Sequence, residues 1–207
     1  MRSCVILCGG RSRRMGQDKG LMILEEKPVL IHLLETMDQL VDEIILVLRD
    51  KKQVQLYQNL IEKFIVDRED GYPPLKLVID LETDQGPLLG LLTGLSHIKA
   101  EGCLVLPCDS PFVSDNFIKK TFQIVEDNPQ KKVMALVPKW SDGSVEPLHS
   151  YYLKECLPYI EDVLNQGLRD VKSLLKYIDV DYVSVEILDP EKNSFRNLNR
   201  PEDLKYY

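Results

Sequence analysis

Short aliphatic runs alternate along the chain with longer segments in which apolar residues recur every three or four positions. Continuous apolar runs are typical of strands buried on both faces of a parallel sheet, whereas the longer pattern indicates amphipathic helices. The aliphatic runs predict five strands, at residues 5–7, 44–48, 75–79, 103–106 and 133–137. Alternating apolar and polar residues predict a late strand at 181–188.

Amphipathic segments separate these strands, and we predict helices at residues 28–41, 51–66, 87–98, 117–125, 153–164 and 171–178. Residues 145–152 are predicted to be extended, and residues 195–204 to form a short strand followed by a helix that begins at Pro201. Strands that alternate with helices imply an α/β fold, in which a mostly parallel sheet lies between two layers of helices. The chain length fits a single domain spanning residues 1–207.

Composition limits the partners that the chain is expected to bind. Its net charge of −7 argues against a general nucleic-acid-binding surface and against an anionic membrane as partner. No run of about 18 apolar residues occurs, so no transmembrane helix is predicted. The first apolar run is short and ends in Gly-Gly-Arg, which is unlike a signal peptide. We therefore expect a cytoplasmic protein.

A basic, glycine-rich segment follows the first predicted strand. The strand ends at Gly9-Gly10, where the backbone can turn sharply and approach a ligand closely. Four cations then occur within nine residues, against the overall negative charge: Arg11, Arg13, Arg14 and Lys19. A strand end, a glycine bend and clustered positive charge predict a site for a polyphosphate. The segment is not a Walker A loop, because Gln17 follows Gly16, and it lacks the three-glycine spacing of dinucleotide-binding folds.

Later segments add one candidate ligand and one ambiguous pattern. Asp109 comes just after the fourth predicted strand, and parallel sheets gather their binding sites at the carboxyl ends of strands. Its alternative role is a helix N-cap, for which residues nearer the next helix are better placed. Gly90 and Gly94, four residues apart on a predicted helix, indicate a close approach to either a strand or a ligand.

The cysteines and histidines do not follow a metal-binding pattern. The five cysteines are at positions 4, 8, 103, 108 and 156, and four of them are in or beside predicted strands. Free cysteine there behaves as a small hydrophobic residue. The spacings within the first two pairs differ from those of zinc ribbons, so a zinc site is the lesser alternative. The histidines, at positions 32, 97 and 149, are dispersed.

Four segments, in order, resemble the nucleotide-sugar-like nucleotidyltransferases and, among these, the molybdenum cofactor guanylyltransferases. The first contains Leu7-Cys-Gly-Gly10, Arg14-Met-Gly16 and Asp18-Lys19. The others are Gly-Pro-Leu-Leu-Gly at 86–90, Leu-Pro-Cys-Asp-Ser-Pro at 106–111 and Asn-Leu-Asn-Arg-Pro-Glu-Asp-Leu at 197–204. The weaker Glu-Pro-Leu-His at 146–149 fits a segment that these proteins carry on the substrate side. The resemblance implies a three-layer Rossmann-like nucleotidyltransferase domain over the whole chain.

The reaction implied by this resemblance joins the GMP part of GTP to the phosphate of molybdopterin, or of its molybdenum-loaded form, and releases pyrophosphate. Matching positions imply that the nucleotide is contacted by Leu7, Cys8, Gly9, Gly10, Lys19, Asp80 and Asp109. They also imply that Asp109 binds Mg²⁺ and that Asn199 completes the metal site. Arg14 and Lys19, together with Mg²⁺ on Asp109, are then the catalytic groups that neutralise the reacting phosphates.

Departures from the family pattern leave the substrate open. Val47 stands where the family commonly has Asn, so one contact to the nucleotide is expected to be absent or replaced. Cys8 replaces the usual Ala, and the segment between Leu48 and Leu75 is longer than usual. The alternatives are a transferase that uses CTP or another phosphorylated acceptor, and a non-catalytic nucleotide-binding protein. Transient contact with other enzymes of cofactor biosynthesis is a further expectation.

Overall fold

The computed structural model describes residues 1–9, 18–65, 73–80, 86–127 and 133–198. The strands of this part are β1 (Ser3–Leu7), β2 (Ile23–Leu24), β3 (Lys27–Pro28), β4 (Glu43–Leu48), β5 (Leu75–Ile79), β6 (Gly102–Pro107), β7 (Ala135–Lys139), β8 (Ser150–Leu153) and β9 (Val180–Ser184). Its α-helices are α1 (Val29–Met37), α2 (Lys51–Ile65), α3 (Pro87–His97), α4 (Asp115–Asp127), α5 (Leu157–Asn165), α6 (Val171–Leu174) and α7 (Val185–Leu188). Within the described ranges, no helix combines the length and the apolar character needed to cross a membrane.

A seven-stranded sheet organises the chain, in the order β5-β4-β1-β6-β8-β7-β9. All its strands run in the same direction except β8, which is antiparallel to both of its neighbours. The central strands β4 and β6 are buried along their whole length, and β1 is buried except at Leu7. This double-sided burial is why their sequences are continuous apolar runs.

Helices cover both faces of the sheet. On one face α1, α2, α4 and α7 enclose a core that includes Tyr57 and Phe117. On the other face α3, α5 and α6 enclose a second core, with Leu91 and Tyr152. The predicted α/β fold with three layers and a mostly parallel central sheet is confirmed.

Helix α3 packs closely on the sheet where it crosses β1. A Cβ atom at Gly94 would lie 2.4 Å from Cγ1 of Val5, and one at Gly90 would lie 3.3 Å from Cδ2 of Leu7. Real Cβ atoms do not come as close as the first of these distances, so glycine is required at position 94. Of the two alternatives for this glycine pair, tight packing on a strand accounts for Gly94.

Residues 145–165 depart from the predicted pattern. The predicted extended segment, 145–152, contributes only its last residues to the sheet, in β8, and β8 is antiparallel. The helix predicted at 153–164 begins later, as α5 at Leu157, after a 3₁₀ turn at Lys154–Cys156. The spacing of apolar residues indicates which faces of a strand are buried, but it does not indicate the direction of the strand. The antiparallel direction of β8 could therefore not be predicted from this spacing.

The end of the described chain also differs from prediction. Residues 185–188 form α7 rather than the end of a strand, because the Ser184 hydroxyl accepts a hydrogen bond of 3.3 Å from the Glu186 N–H and caps a helix there. The helix predicted at 171–178 stops at Leu174, as α6. Phe195 lies in a 3₁₀ turn rather than a strand, and Pro201 is outside the described residues.

Candidate functional site

The carboxyl ends of β1 and β6 bring two distant motifs side by side. The strands pair in parallel with Leu7 opposite Pro107, and the Cys108 N–H donates a hydrogen bond of 3.1 Å to the Leu7 carbonyl. Gly9 and Asp109, which follow these two strands, therefore lie at the same edge of the sheet. This edge is where sites form in parallel α/β folds.

Lys19 and Asp109 form an ion pair at this edge. Lys19 opens a 3₁₀ turn (Lys19–Leu21), and its Nζ lies 2.5 Å from Oδ2 of Asp109. The side chains remain 23% and 13% exposed, respectively, so both can reach a ligand. The structure thus brings together the lysine and the aspartate that the motifs single out.

Asp18 anchors the turn that carries Lys19. Its carboxylate accepts hydrogen bonds from the Gly20 N–H at 3.3 Å, from the Tyr57 hydroxyl at 2.5 Å and from the Gln53 side-chain amide. The same Gln53 amide also donates to the Cys8 carbonyl at 2.8 Å. Helix α2 thereby connects the lysine turn to the end of β1.

Gln53 and Tyr57 are site-supporting residues that sequence reasoning missed. Both are buried, with exposed fractions of 1% and 0%, and they lie one helical turn apart on α2. A methyl group on Gly20 would come within 2.3 Å of the Tyr57 oxygen, so the turn also packs directly on this ring. The available signal was a polar residue four positions before an aromatic one on the inner face of a helix.

Asp80 lies at the same edge, beyond β5. Its N–H donates to the Leu48 carbonyl at 2.7 Å, and its Oδ1 accepts a hydrogen bond of 2.7 Å from the Thr93 hydroxyl. Its Oδ2 would be 3.9 Å from a Cβ atom on Gly9 and 3.7 Å from one on Gly90. The absence of side chains at these two glycines leaves the carboxylate close to the backbone of the site.

The side chain of Val47 is buried and offers no polar group to a bound nucleotide. It is 1% exposed and belongs to the core beneath α3, with Cγ1 3.9 Å from a Cβ atom built on Gly90. Its carbonyl accepts a hydrogen bond of 2.9 Å from the Cys8 N–H, an interaction that any residue at this position can make. The departure at position 47 thus places an aliphatic group under the site.

A buried polar cluster lies immediately beyond Asp109. The Ser110 hydroxyl is 2.5 Å from Oδ1 of Asn197 and 2.9 Å from Nε2 of His149. The Leu198 N–H donates a hydrogen bond of 2.9 Å to the Asp109 carbonyl. Burial lowers the pKa of His149 to about 3, so the imidazole is neutral near neutral pH. This cluster was not predicted from the sequence.

All five cysteines are free and buried. Burial raises the pKa of the Cys8 thiol well above its usual value, and the neighbouring Cys108 thiol raises it further. Within the described ranges, no group of three or more His, Cys, Asp or Glu side chains is arranged to hold a metal ion. The described cysteines thus act as apolar packing groups, in agreement with their sequence interpretation.

Three of the candidate residues, Gly10, Arg14 and Asn199, lie outside the described residues. The structure places the others, Leu7, Cys8, Gly9, Lys19, Asp80 and Asp109, at the carboxyl edge of strands β1, β5 and β6 or next to it. Lys19 and Asp109 are in direct contact. Asp80 follows β5, whereas Asp109 follows β6. In the strand order, β1 and Gly9 therefore lie between Asp80 and the Lys19–Asp109 pair.

Comparison with known proteins agrees with the motifs and the fold. Residues 4–180 match the family described as the MobA-like NTP transferase domain. A probable molybdenum cofactor guanylyltransferase from Methanothermobacter thermautotrophicus is 35% identical over 206 residues, covering 98% of this chain and 97% of the relative. One from Methanosarcina mazei is 35% identical over 209 residues, covering 99% and 88%.

A solved structure supports the same assignment. The crystal structure of molybdopterin-guanine dinucleotide biosynthesis protein A from Archaeoglobus fulgidus matches with a TM-score of 0.77 at 29% identity, covering 99% of this chain and 95% of that one. The resemblance inferred from the four sequence motifs is therefore confirmed. The chain belongs to the family of MobA-like NTP transferase domains, which are nucleotidyltransferases.

Proposed function

We propose that this protein transfers GMP from GTP to the phosphate of molybdopterin, or of its molybdenum-loaded form, and releases pyrophosphate. Two relatives that match nearly the whole chain carry the name probable molybdenum cofactor guanylyltransferase. The observation that carries the proposal is the contact between Lys19 and Asp109, at 2.5 Å, at the carboxyl edge of β1 and β6. This contact supports the proposal, because a side chain suited to binding phosphates and one suited to binding a metal meet there.

The proposed reaction needs charge neutralisation more than proton transfer. The acceptor is a phosphate monoester, whose second pKa of about 6 makes it mostly dianionic near neutral pH. Its attack on the α-phosphate brings two anions together, and the pyrophosphate that leaves carries further negative charge. Lys19 stabilises this charge directly. Arg14, outside the described residues, is proposed to do the same from the basic segment.

The family's chemistry uses a divalent metal ion, and we assign Mg²⁺ as that ion in this protein. Mg²⁺ is commonly held by one or two carboxylates together with substrate phosphates, which fits the single carboxylate of Asp109. When bound there, the ion would supply Lewis-acid polarisation of the phosphates. Asn199 is the second proposed ligand. The donor set therefore fits a metal that binds together with the triphosphate.

The remaining assignments concern the nucleotide. The backbone of Leu7, Cys8, Gly9 and Gly10 is proposed to contact it, supported by the position of β1 at the centre of the sheet. Asp80 is proposed as a nucleotide contact because its carboxylate borders the two glycines of the site and is oriented by Thr93. Residues 1–207 are proposed to act as a single nucleotidyltransferase domain.

A second candidate is the same reaction with CTP, or with another phosphorylated acceptor. The observation that favours it is Val47, an aliphatic side chain in the core beneath Gly90 where the family commonly has a polar one. A non-catalytic nucleotide-binding role is less well supported, because a scaffold has no need for a carboxylate paired with a lysine at the phosphate position.

The deciding experiment is incubation of the purified protein with molybdopterin, Mg²⁺ and, separately, GTP, CTP and ATP, while pyrophosphate release is followed. We expect release with GTP and its loss in Asp109→Asn, a variant that keeps the size of the side chain. Release with CTP alone would support the second candidate. No release with any nucleotide would contradict both.

Capture of neighbouring biosynthetic enzymes on the immobilised protein tests whether the acceptor is transferred by direct contact.

A further inference from the structure

Ser110, His149 and Asn197 join three separate segments directly behind Asp109. Ser110 follows Asp109 at the end of β6, His149 precedes β8, and Asn197 follows the 3₁₀ turn at Asn193–Phe195. Ser110 and His149 are 0% and 1% exposed. The hydrogen bond between these two side chains is therefore shielded from water, which makes it matter more than it would at the surface.

The proton positions in this cluster follow from the number of donors. A hydroxyl has a single proton, and the Ser110 hydroxyl donates it to Oδ1 of Asn197 at 2.5 Å. Its oxygen must then accept from Nε2–H of His149, at 2.9 Å. This fixes the tautomer of the neutral imidazole and leaves Nδ1 without a proton.

The other ring nitrogen has no hydrogen-bond partner among the described residues. Nδ1 of His149 is buried and lies 3.8 Å from Oε2 of Glu146, which is too far for a hydrogen bond. Buried polar atoms without partners are uncommon and destabilising. A leucine or phenylalanine at this position would avoid the cost of burying Nδ1 without a partner. The hydrogen bond from Nε2 to Ser110 is therefore the interaction that favours a histidine here.

The cluster fixes the position of the Asp109 backbone at two consecutive residues. Ser110 is bonded to Asn197 through its side chain, and the Asp109 carbonyl accepts from the Leu198 N–H at 2.9 Å. Two adjacent bonds between the same two segments prevent rotation about either one. The carboxylate of Asp109 therefore projects from a backbone that is held in place from behind.

We infer that His149 is a positioning residue for the metal site, acting through Ser110 to hold Asp109 in the geometry that binds the metal together with the triphosphate. This inference rests on the proposed function, because it takes Asp109 as a metal ligand. It assigns a role at the site to a side chain that contacts neither substrate nor metal. Groups that orient metal ligands typically change metal affinity by about 10- to 100-fold when removed.

The test measures binding of Mn²⁺ in the presence of GTP and without acceptor, by water-proton relaxation, which separates protein-bound Mn²⁺ from the Mn²⁺–GTP complex in solution. His149→Phe removes the donor but keeps a ring, and we expect it to weaken Mn²⁺ binding by about 10-fold or more. His149→Gln places an amide N–H near the position of Nε2, so its affinity should stay within about threefold of the parent protein. Ser110→Ala should behave like His149→Phe.

The matched control is Tyr152→Phe in β8, which removes a hydrogen bond of 2.8 Å to the Pro147 carbonyl and lies in the core beneath α3. It should lower the unfolding temperature without changing Mn²⁺ affinity. If His149→Phe and Ser110→Ala bind Mn²⁺ as the parent does while Asp109→Asn binds it weakly, the positioning role is wrong. If Asp109→Asn also binds Mn²⁺ normally, the proposed metal site itself is wrong. Should His149→Phe fail to fold, Ser110→Ala, a smaller change, decides between these outcomes.

Discussion

At the scale of single residues, the ion pair between Lys19 and Asp109 constrains how the site works. Nζ and Oδ2 lie 2.5 Å apart although the residues are 90 positions apart in the chain. A divalent metal ion on Asp109 would repel the ammonium group of Lys19, because like charges at this separation interact strongly in a partly buried site. We therefore expect Lys19 to exchange Asp109 for the triphosphate when nucleotide and metal bind.

The exchange predicts that Lys19→Ala affects the binding of GTP with Mg²⁺ differently from the binding of Mn²⁺ alone. Affinity for GTP with Mg²⁺ should fall by about 10- to 100-fold, since a hydrogen bond to a charged group contributes about 1.5–3 kcal/mol. Affinity for Mn²⁺ alone should not fall, because the Asp109 carboxylate has lost a competing cation. Titration calorimetry with each ligand measures both. Lys27→Ala, which removes a similar lysine from an exposed pair with Glu35 at 2.9 Å, is the control. A parallel fall in both affinities would refute the exchange.

His149 predicts a dependence of stability on pH. Its pKa is about 3 in the folded protein against 6.5 for an ordinary histidine, owing to burial. As the pH falls below about 6.5, the unfolded chain therefore binds a proton that the folded protein does not, and the free energy of unfolding decreases by up to about 1.4 kcal/mol per pH unit. His149→Gln removes this group, so its urea-unfolding free energy should fall less steeply between about pH 6 and 4. Equal slopes for the two proteins would contradict the prediction.

At the scale of secondary-structure elements, the sequence predicts buried strands better than it predicts a short capped helix or the direction of a strand. The continuous apolar runs locate β1, β4 and β6, because burial on both faces leaves a clear local pattern. The helix α7 was predicted as a strand, because a single serine hydroxyl starts it and four residues are too few to show a helical period. The antiparallel direction of β8 depends on how the chain returns to the sheet, which local spacing does not contain.

The contact of α3 with β1 gives a prediction at this scale. Gly94→Ala would place a methyl group 2.4 Å from Cγ1 of Val5, so the helix or the strand must shift. Overpacking of this kind typically costs about 1–3 kcal/mol, and urea unfolding should show a loss of that size. Ser96→Ala, on the exposed side of the same helix, should change stability by no more than about 0.5 kcal/mol. Similar stability of the two variants would contradict the packing argument.

At the scale of the whole molecule, the site exists only because the sheet aligns distant segments. Gly9 and Asp109 could be predicted as neighbours, because both belong to motifs that resemble the family and because both follow parallel strands. The contacts that support them could not be predicted. Ser110 and His149 belong to motifs found in the sequence, and Gln53 and Tyr57 lie one turn apart on a helix, but neither pattern shows which residues will pair. The contacts join positions 35 to 45 residues apart in sequence.

A site built from several strands predicts that nucleotide binding stabilises the whole domain. A ligand that binds only the folded state at 100 times its dissociation constant adds about 2.7 kcal/mol to the free energy of unfolding. For a chain of this size, that corresponds to an increase of about 5–10 °C in the unfolding temperature. Differential scanning calorimetry with saturating GTP and Mg²⁺ should show this increase, and GTP without a divalent metal should give a smaller one.

Two variants test whether the stabilisation comes from the proposed site. Asp109→Asn should lose the part of the increase that depends on Mg²⁺ while keeping the part that GTP produces alone, because it removes the carboxylate and keeps the Lys19 ammonium group that is proposed to bind phosphates. Lys27→Ala, which removes a lysine from the exposed pair with Glu35, should keep the full increase. If Asp109→Asn retains the effect of Mg²⁺, the metal is bound elsewhere. If CTP with Mg²⁺ raises the unfolding temperature more than GTP does, the site prefers a pyrimidine nucleotide, and the second candidate, a transferase that uses CTP, is supported.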